Sequence, residues 1–93
     1  MTVAEFKSPA GLIRVELKIS EDKIDKVSFS GDFFFYPEKD LEKFEVFLEG
    51  APIDEESLRA KIRKFYRSKD IETPALEIKH WVKAIKKAMG RCI

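Results

Sequence analysis

The chain has 93 residues, of which 44% are apolar and 38% charged, and its 18 basic and 17 acidic side chains leave a net charge of +1. This length predicts one domain spanning residues 1–93, and the balanced charge does not favour nucleic acid or another polyanion as partner. The chain has one cysteine, Cys92, and no apolar run approaching about 20 residues. We therefore expect no internal disulfide, no membrane span, no secretory leader and a cytoplasmic location.

The first third of the chain carries the period-two alternation of β-strands. Apolar and charged residues alternate over residues 13–19, which predicts a strand with one face on a core and the other in water. Polar turn residues follow, and residues 24–30 then predict a second strand with Val27 and Phe29 on its inner face. Residues 2–7 predict a further strand, which the turn residues at 8–11 end. The strands should form an antiparallel sheet.

Four consecutive aromatic residues, Phe33, Phe34, Phe35 and Tyr36, follow the second of these strands. If the extended chain sends successive side chains to opposite sides, about half of these rings face away from the core. Either Phe34 and Tyr36 or Phe33 and Phe35 form the outward pair, and the sequence leaves that choice open. The run is interpreted first as a structural corner of the core, and the alternative is that its outward rings form a binding site for another protein.

Three helix signals come after the strands, and this order predicts an α+β fold in which three C-terminal helices cover one face of a small antiparallel sheet. Pro37 fits the first position of a helix that runs to Leu48. Asp54 is the expected cap of a second helix reaching about Arg67, and Thr73-Pro74 gives a similar signal for a third, which Gly90 can end. The apolar positions expected to face the core are Leu41, Phe44, Phe47 and Leu48 in the first helix, Leu58, Ile62, Phe65 and Tyr66 in the second, and Ile78, Trp81, Val82, Ile85 and Met89 in the third.

Few residues suggest catalysis. His80 stands alone off the main apolar face of its helix and is interpreted as a surface or boundary side chain. Cys92 has no histidine or second cysteine nearby and is interpreted as a flexible terminal thiol. The four glycines are isolated from one another, so no phosphate-binding glycine loop is present and no ATP-binding site is expected.

Two stripes of cations could contact an anionic partner. Arginines recur along the second helix and lysines along the third, and both stripes are interpreted first as solvated helix faces. The alternative function is a stand-alone binding module that contacts an acidic protein or RNA through these helices. The stripes comprise Arg59, Arg63 and Arg67, and Lys79, Lys83, Lys86 and Lys87.

The order and spacing of several segments resemble the accessory, C-terminal domain of lipoate-protein ligases over nearly the whole chain. The most specific of them is Gly-Asp-Phe-Phe at residues 31–34. The others are Lys-Ser-Pro-Ala-Gly at 7–11 leading into the strand at 12–15, Ile-Asp-Lys-Val at 24–27, the helix at 41–48 with Gly50 after it, and residues 81–89 at the end of the third helix.

This resemblance implies a division of labour between two chains. In the family, a large domain binds lipoate and ATP with Mg, forms lipoyl-AMP and transfers the lipoyl group to a lysine of lipoyl domains of 2-oxoacid dehydrogenases or of the glycine-cleavage protein. The small domain packs against the large one, changes orientation during the reaction and carries none of the catalytic motifs. The resemblance therefore implies a non-catalytic accessory subunit of an archaeal-type heterodimer, with no cofactor bound by this chain.

The same resemblance implies that this chain has a surface for the large subunit. The candidates are the sheet edge, the turn containing Pro9 and Gly11, and the outward rings among Phe33, Phe34, Phe35 and Tyr36. No catalytic or metal-binding residue is expected among the 93 residues.

Overall fold

In the computed structural model, which describes residues 2–90, three strands precede three helices. The elements are β1 (Thr2–Ser8), β2 (Gly11–Ser20), β3 (Lys23–Gly31), α1 (Asp40–Leu48), α2 (Glu55–Lys69) and α3 (Ile78–Gly90). The predicted α+β class is confirmed. Cys92 lies outside the described residues. Within residues 2–90, no helix combines the length and the apolarity that crossing a membrane requires.

The sheet is antiparallel in the order β1-β2-β3, so β2 is the central strand. Its register places Val15 opposite Ala4 on one side and Phe29 on the other, and these side chains face the same way. The alternation predicted for residues 13–19 holds up to Leu17, whereas Ile19 follows a bulge and is partly buried. The buried face of the sheet comprises Ala4, Ile13, Val15, Leu17, Ile24, Val27 and Phe29.

The helices cover this apolar face of the sheet. α3 lies over β1 and β2, α1 lies over β3, and α2 packs on α1 and α3. Asp54 caps α2 as predicted, because its Oδ2 accepts the Ser57 backbone N–H at 2.9 Å, and the helix continues to Lys69. All apolar positions predicted for the three helices either lie in the core or pack against it.

α1 begins later than its proline signal predicts. The placement of Pro37 at the first helical position is wrong, because the helix begins at Asp40. The Tyr36-Pro37 peptide bond is cis. Tyr36 exchanges two backbone hydrogen bonds with Glu72, each 2.9 Å long, and these keep the chain extended up to the proline. The chain then makes one turn, closed by the Asp40 N–H on the Pro37 carbonyl at 3.0 Å, before the helix starts.

α3 also begins after its predicted start. Thr73-Pro74 does not cap the helix, which starts at Ile78. The Thr73 side chain instead belongs to a separate turn, in which its Oγ1 lies 3.3 Å from the Leu76 carbonyl oxygen and the Leu76 N–H donates to the Thr73 carbonyl at 3.0 Å. A threonine followed by a proline therefore marks a turn here, because Thr73 and Leu76 close this turn by hydrogen bonds before the helix begins.

Trp81 on α3 lies within the aromatic core. It is fully buried, and the ring centroids of Phe29, Phe33 and Phe44 lie 4.9, 5.1 and 5.4 Å from its own, all in edge-to-face arrangements. Such pairs contribute about 0.5–1.5 kcal/mol each beyond the burial of their area. Trp81 thus joins β3, α1 and the aromatic run to the third helix.

A chain of hydrogen bonds continues from Trp81 through the core. Its Nε1–H donates to the Tyr66 hydroxyl at 2.6 Å, and that hydroxyl lies 2.8 Å from Thr73 Oγ1. Thr73 donates its one hydroxyl proton to the Leu76 carbonyl, so it accepts from the Tyr66 hydroxyl, which itself accepts from the indole N–H. Burial raises the pKa of Tyr66, so its phenol keeps the proton that this chain requires.

His80 is buried, with 7% of its surface exposed, so it is more enclosed than the surface or boundary position expected from the sequence. Its Nδ1 accepts the Glu77 backbone N–H at 2.9 Å, and it thereby satisfies an N–H that the start of α3 would otherwise leave without a partner. The same bond requires Nδ1 to be unprotonated. The histidine therefore has a structural role as the cap of α3, which its sequence position off the apolar stripe does not reveal.

Acidification should destabilise the fold through this cap. Burial lowers the pKa of His80, the Lys79 and Lys83 charges lower it further, and Glu77 opposes them. Because the pKa is lower in the folded state, the unfolded chain binds the proton more tightly. The contribution of His80 to the free energy of unfolding is therefore fully present above the unfolded pKa, about 6.5, and declines as pH falls below it. Urea unfolding between about pH 5 and pH 7.5 should show this decline.

The control for this prediction is His80→Asn, which removes the only histidine of the sequence. Its stability should be lower than that of the wild type at pH 7.5, and it should change less across the same interval. Parallel pH profiles for the two proteins would contradict the assignment of His80 as a titrating cap.

Candidate interaction surface

The aromatic run lies beyond the sheet rather than in it. β3 ends at Gly31, the Asp32 N–H still bonds to the Leu12 carbonyl of β2, and residues 33–35 belong to no strand. Phe33 and Phe35 turn inward, with ring centroids 5.1 and 6.2 Å from that of Trp81. Phe34 and Tyr36 turn outward, are 59% and 44% exposed, and stack on each other with centroids 6.1 Å apart. The structure thereby selects Phe34 and Tyr36 from the two pairs that the sequence left open.

Gly31 is required where the run leaves the sheet. Its φ is +137°, and a Cβ at this position would lie 2.0 Å from the Leu12 carbonyl oxygen. The same oxygen accepts the Asp32 N–H at 2.9 Å, so the backbone of β2 approaches the start of the run too closely for any side chain. This close approach fixes the direction in which the aromatic run departs from β3.

The turn between β1 and β2 lies beside the start of the run. Gly11 has φ +129°, and a Cβ there would lie 2.8 Å from Asp32 Cβ. The turn is closed by Ser8, whose Oγ donates to the Gly11 carbonyl at 2.6 Å and accepts the Ala10 N–H at 3.2 Å. Pro9 at its tip is exposed. The structure therefore brings together two of the predicted interface elements, the turn and the aromatic run, at one end of the sheet.

The two edges of the sheet differ in how far other parts of the chain cover them. Along β3, Glu45 Oε2 accepts the Phe29 N–H at 2.6 Å, and Ile24 exchanges backbone hydrogen bonds with Gly50 and Ala51. β1 pairs with β2 on one side, and no second strand lies beside it within residues 2–90. The sheet edge proposed from the sequence as a contact surface is therefore the β1 edge.

The two basic stripes lie side by side in the fold. Arg59 and Arg63 of α2 and Lys79 of α3 line one shallow depression. Arg59 forms an ion pair with Glu55 at 3.6 Å, and Lys79 forms one with Glu77 at 3.4 Å. These exposed pairs neutralise part of the positive charge, which agrees with the interpretation of the stripes as solvated faces.

The described residues provide little that could carry out chemistry. In residues 2–90, no three histidine, cysteine, aspartate or glutamate side chains are grouped so that they could hold a metal ion. The nitrogen of His80 that could act as a base is already engaged at the start of α3. The fold and its exposed rings define a small α+β domain with an aromatic surface at the end of its sheet.

Comparison with known proteins identifies the family. Residues 3–86 match the model of the bacterial lipoate protein ligase C-terminus, so the chain belongs to this family of ligase C-terminal domains. It is 35% identical over 81 residues to lipoate-protein ligase A subunit 2 of Thermoplasma acidophilum, a match that covers 87% of this chain and 83% of that protein.

A solved structure agrees with the sequence comparison. The chain matches a protein from a structural study of an archaeal lipoylation system, described as a bi-partite lipoate protein ligase and its E2 lipoyl domain from Thermoplasma acidophilum. The two share 34% sequence identity with a TM-score of 0.79, and the match covers 90% of this chain and 93% of that one. The resemblance that the sequence segments indicate is therefore confirmed at the level of family and fold.

Proposed function

We propose that this chain is the cytoplasmic accessory subunit of a two-chain lipoate-protein ligase. It docks on a large catalytic subunit and is required there for the activation of lipoate to lipoyl-AMP, which precedes transfer to a lysine of a lipoyl domain. The observation that carries the proposal is the match, over most of both chains, to a ligase subunit 2 from a bipartite system. The outward pair Phe34 and Tyr36, the turn at Pro9 and Gly11, and the β1 edge supply the docking surface.

An accessory subunit can promote activation without a reacting group of its own. Adenylate formation requires water to be excluded and loops to be ordered around the substrates. A subunit that binds the closed form of the large chain more tightly than the open form shifts the equilibrium toward closure. A difference of about 3 kcal/mol changes that equilibrium more than a hundredfold.

ATP, Mg and lipoate are assigned to the large subunit. The glycines of this chain are isolated, and residues 2–90 contain no cluster of metal-binding side chains, so the described residues do not fit a nucleotide or its metal. The acceptors of the complex are lipoyl domains of 2-oxoacid dehydrogenases or of the glycine-cleavage protein. This chain contributes a surface, and the large subunit contributes the reacting groups.

Separating the two half-reactions tests this assignment. With the large subunit, lipoate and ATP, pyrophosphate release should depend strongly on added accessory chain. With the large subunit and preformed lipoyl-AMP, transfer to a lipoyl domain should proceed without it. If transfer from the preformed adenylate still requires this chain, the assignment to activation is wrong, and lipoyl-AMP formed by this chain alone would exclude a non-catalytic role.

The alternative function is a binding module that uses the depression between Arg59, Arg63 and Lys79 to contact an acidic protein or RNA. Salt-sensitive retention of the isolated chain on RNA, with no affinity for the large subunit, would support this alternative. Co-purification with a ligase-like large chain would instead support the accessory role.

A further inference from the structure

Three carboxylates flank the outward pair Phe34 and Tyr36. Asp32 precedes the pair where β3 ends, and Glu38 follows it and lines the same groove as Phe34. Glu72 lies beside Tyr36, since the two residues exchange backbone hydrogen bonds of 2.9 Å. All three acids are exposed, and within residues 2–90 none of them forms an ion pair with a cationic side chain. We call these five residues the acidic aromatic surface.

We propose that the acidic aromatic surface binds a basic face of the large catalytic subunit, whose arginine side chains pair with the carboxylates and stack on the rings. This inference rests on the proposed function and adds the chemistry of the partner. A guanidinium group can bind a carboxylate through two parallel hydrogen bonds and can also stack on an aromatic face. The surface offers both kinds of contact within one short segment and its neighbour Glu72.

Other kinds of partner fit this surface less well. An acidic face would place like charges against Asp32, Glu38 and Glu72, which opposes association. An apolar face would remove water from three carboxylates without offering them a partner. A second copy of this chain would present the cations of α2 and α3 to the surface through a heterologous contact, which builds rings or open chains. The exposed rings alone would not select among these partners, whereas the three carboxylates favour a basic one.

Neutralising the three acids separates their contribution to association with the large subunit from the contribution of the rings. The triple variant Asp32→Asn, Glu38→Gln and Glu72→Gln keeps side-chain size and leaves Phe34 and Tyr36 unchanged. Stopped-flow association with the large subunit at about 50 mM salt should be about tenfold slower than for the wild type, because complementary charges accelerate encounter and are screened beyond about 10 Å at 0.1 M salt. The rate for the wild type should fall steeply with added salt, whereas that of the triple variant should be nearly constant.

A matched control carries the same change in net charge elsewhere. Asp22→Asn, Glu49→Gln and Glu56→Gln neutralise three exposed acids, of which Asp22 and Glu49 lie near the opposite end of β3. This control should associate at nearly the wild-type rate with nearly the wild-type salt dependence.

The outcomes separate this inference from the proposed function. If the triple variant and the matched control behave alike while the wild type binds the large subunit, the inference is overturned and the accessory role stands. If the wild type does not bind the large subunit at all, the proposed function fails first. Salt-sensitive self-association of this chain alone in sedimentation, lost in the triple variant, would assign the surface to a second copy and would also overturn the inference.

Discussion

Replacing Phe34 and Tyr36 by serine should weaken association with the large subunit about a thousandfold while leaving the accessory chain folded. The two rings are 59% and 44% exposed, so neither contributes much to the core. Exposed aromatic side chains that become buried in an interface are typical hot spots, worth about 2 kcal/mol or more each on truncation. About 4 kcal/mol for the pair corresponds to a factor of about 1,000 in Kd. Calorimetric titration of the purified subunits measures this loss directly.

Val46 provides the control for the double variant. It is also 59% exposed, but it lies on α1 in a different groove from Phe34. Val46→Ser should therefore leave the affinity for the large subunit unchanged. If the double variant unfolds at the wild-type urea concentration and still binds with wild-type affinity, the rings are not part of the interface.

The inward rings should behave differently. Phe35 is 3% exposed, and its centroid lies 5.5 Å from that of Phe44 in the aromatic core. Phe35→Ser should therefore destabilise the subunit, with any loss of binding following from unfolding. Substitution of an inward ring should thus lower stability, whereas substitution of its outward neighbours should lower binding, because successive side chains of the run face opposite ways.

Gly31→Ala should strongly destabilise this chain. The new Cβ would lie 2.0 Å from the Leu12 carbonyl oxygen, which is a backbone atom that no side-chain rotation can move away. The φ of +137° adds strain for any residue with a Cβ. We expect a loss of about 4 kcal/mol or more, because β2 and the aromatic run must separate to accommodate the methyl group. Urea unfolding followed by tryptophan fluorescence reports this change, since Trp81 contacts Phe33.

Gly50→Ala separates the steric clash from the backbone strain. Gly50 has φ +83°, but a Cβ there would meet no atom within 4 Å. This substitution should cost only the roughly 1–2 kcal/mol of an unfavourable backbone conformation. Equal losses in the free energy of unfolding for Gly31→Ala and Gly50→Ala would show that the approach of Leu12 to Gly31 does not limit stability.

The sequence predicts the elements of this protein well because their signals are local. Alternation identifies β2 and β3, an aspartate cap identifies the start of α2, and the apolar stripes identify the helix faces. The predicted helix starts at Pro37 and at Thr73-Pro74 are wrong, because the backbone pairing of Tyr36 with Glu72 and the turn at Thr73 compete with the local signals.

The candidate surface was predicted in outline only. The sequence proposes Pro9, Gly11 and the four aromatic residues, and their proximity depends on the close approach of Gly11 to Asp32, which are 21 positions apart by their residue numbers. The sequence does not indicate that Glu72 lies beside Tyr36, because the two residues are far apart along the chain. The structural role of His80 was missed for a related reason, because a capping bond and the burial around it cannot be read from an apolar stripe.

By itself, the sequence determined the order of strands and helices, the faces they bury and the family to which the chain belongs. The tertiary structure decided which rings face outward, where α1 and α3 begin, and which charges surround the outward pair. The physical reason is the range of the interactions involved. Periodicity and most caps act within a few residues, whereas the bonds of Tyr36 to Glu72 and of Asp32 to Leu12 join segments that only the folded chain brings together.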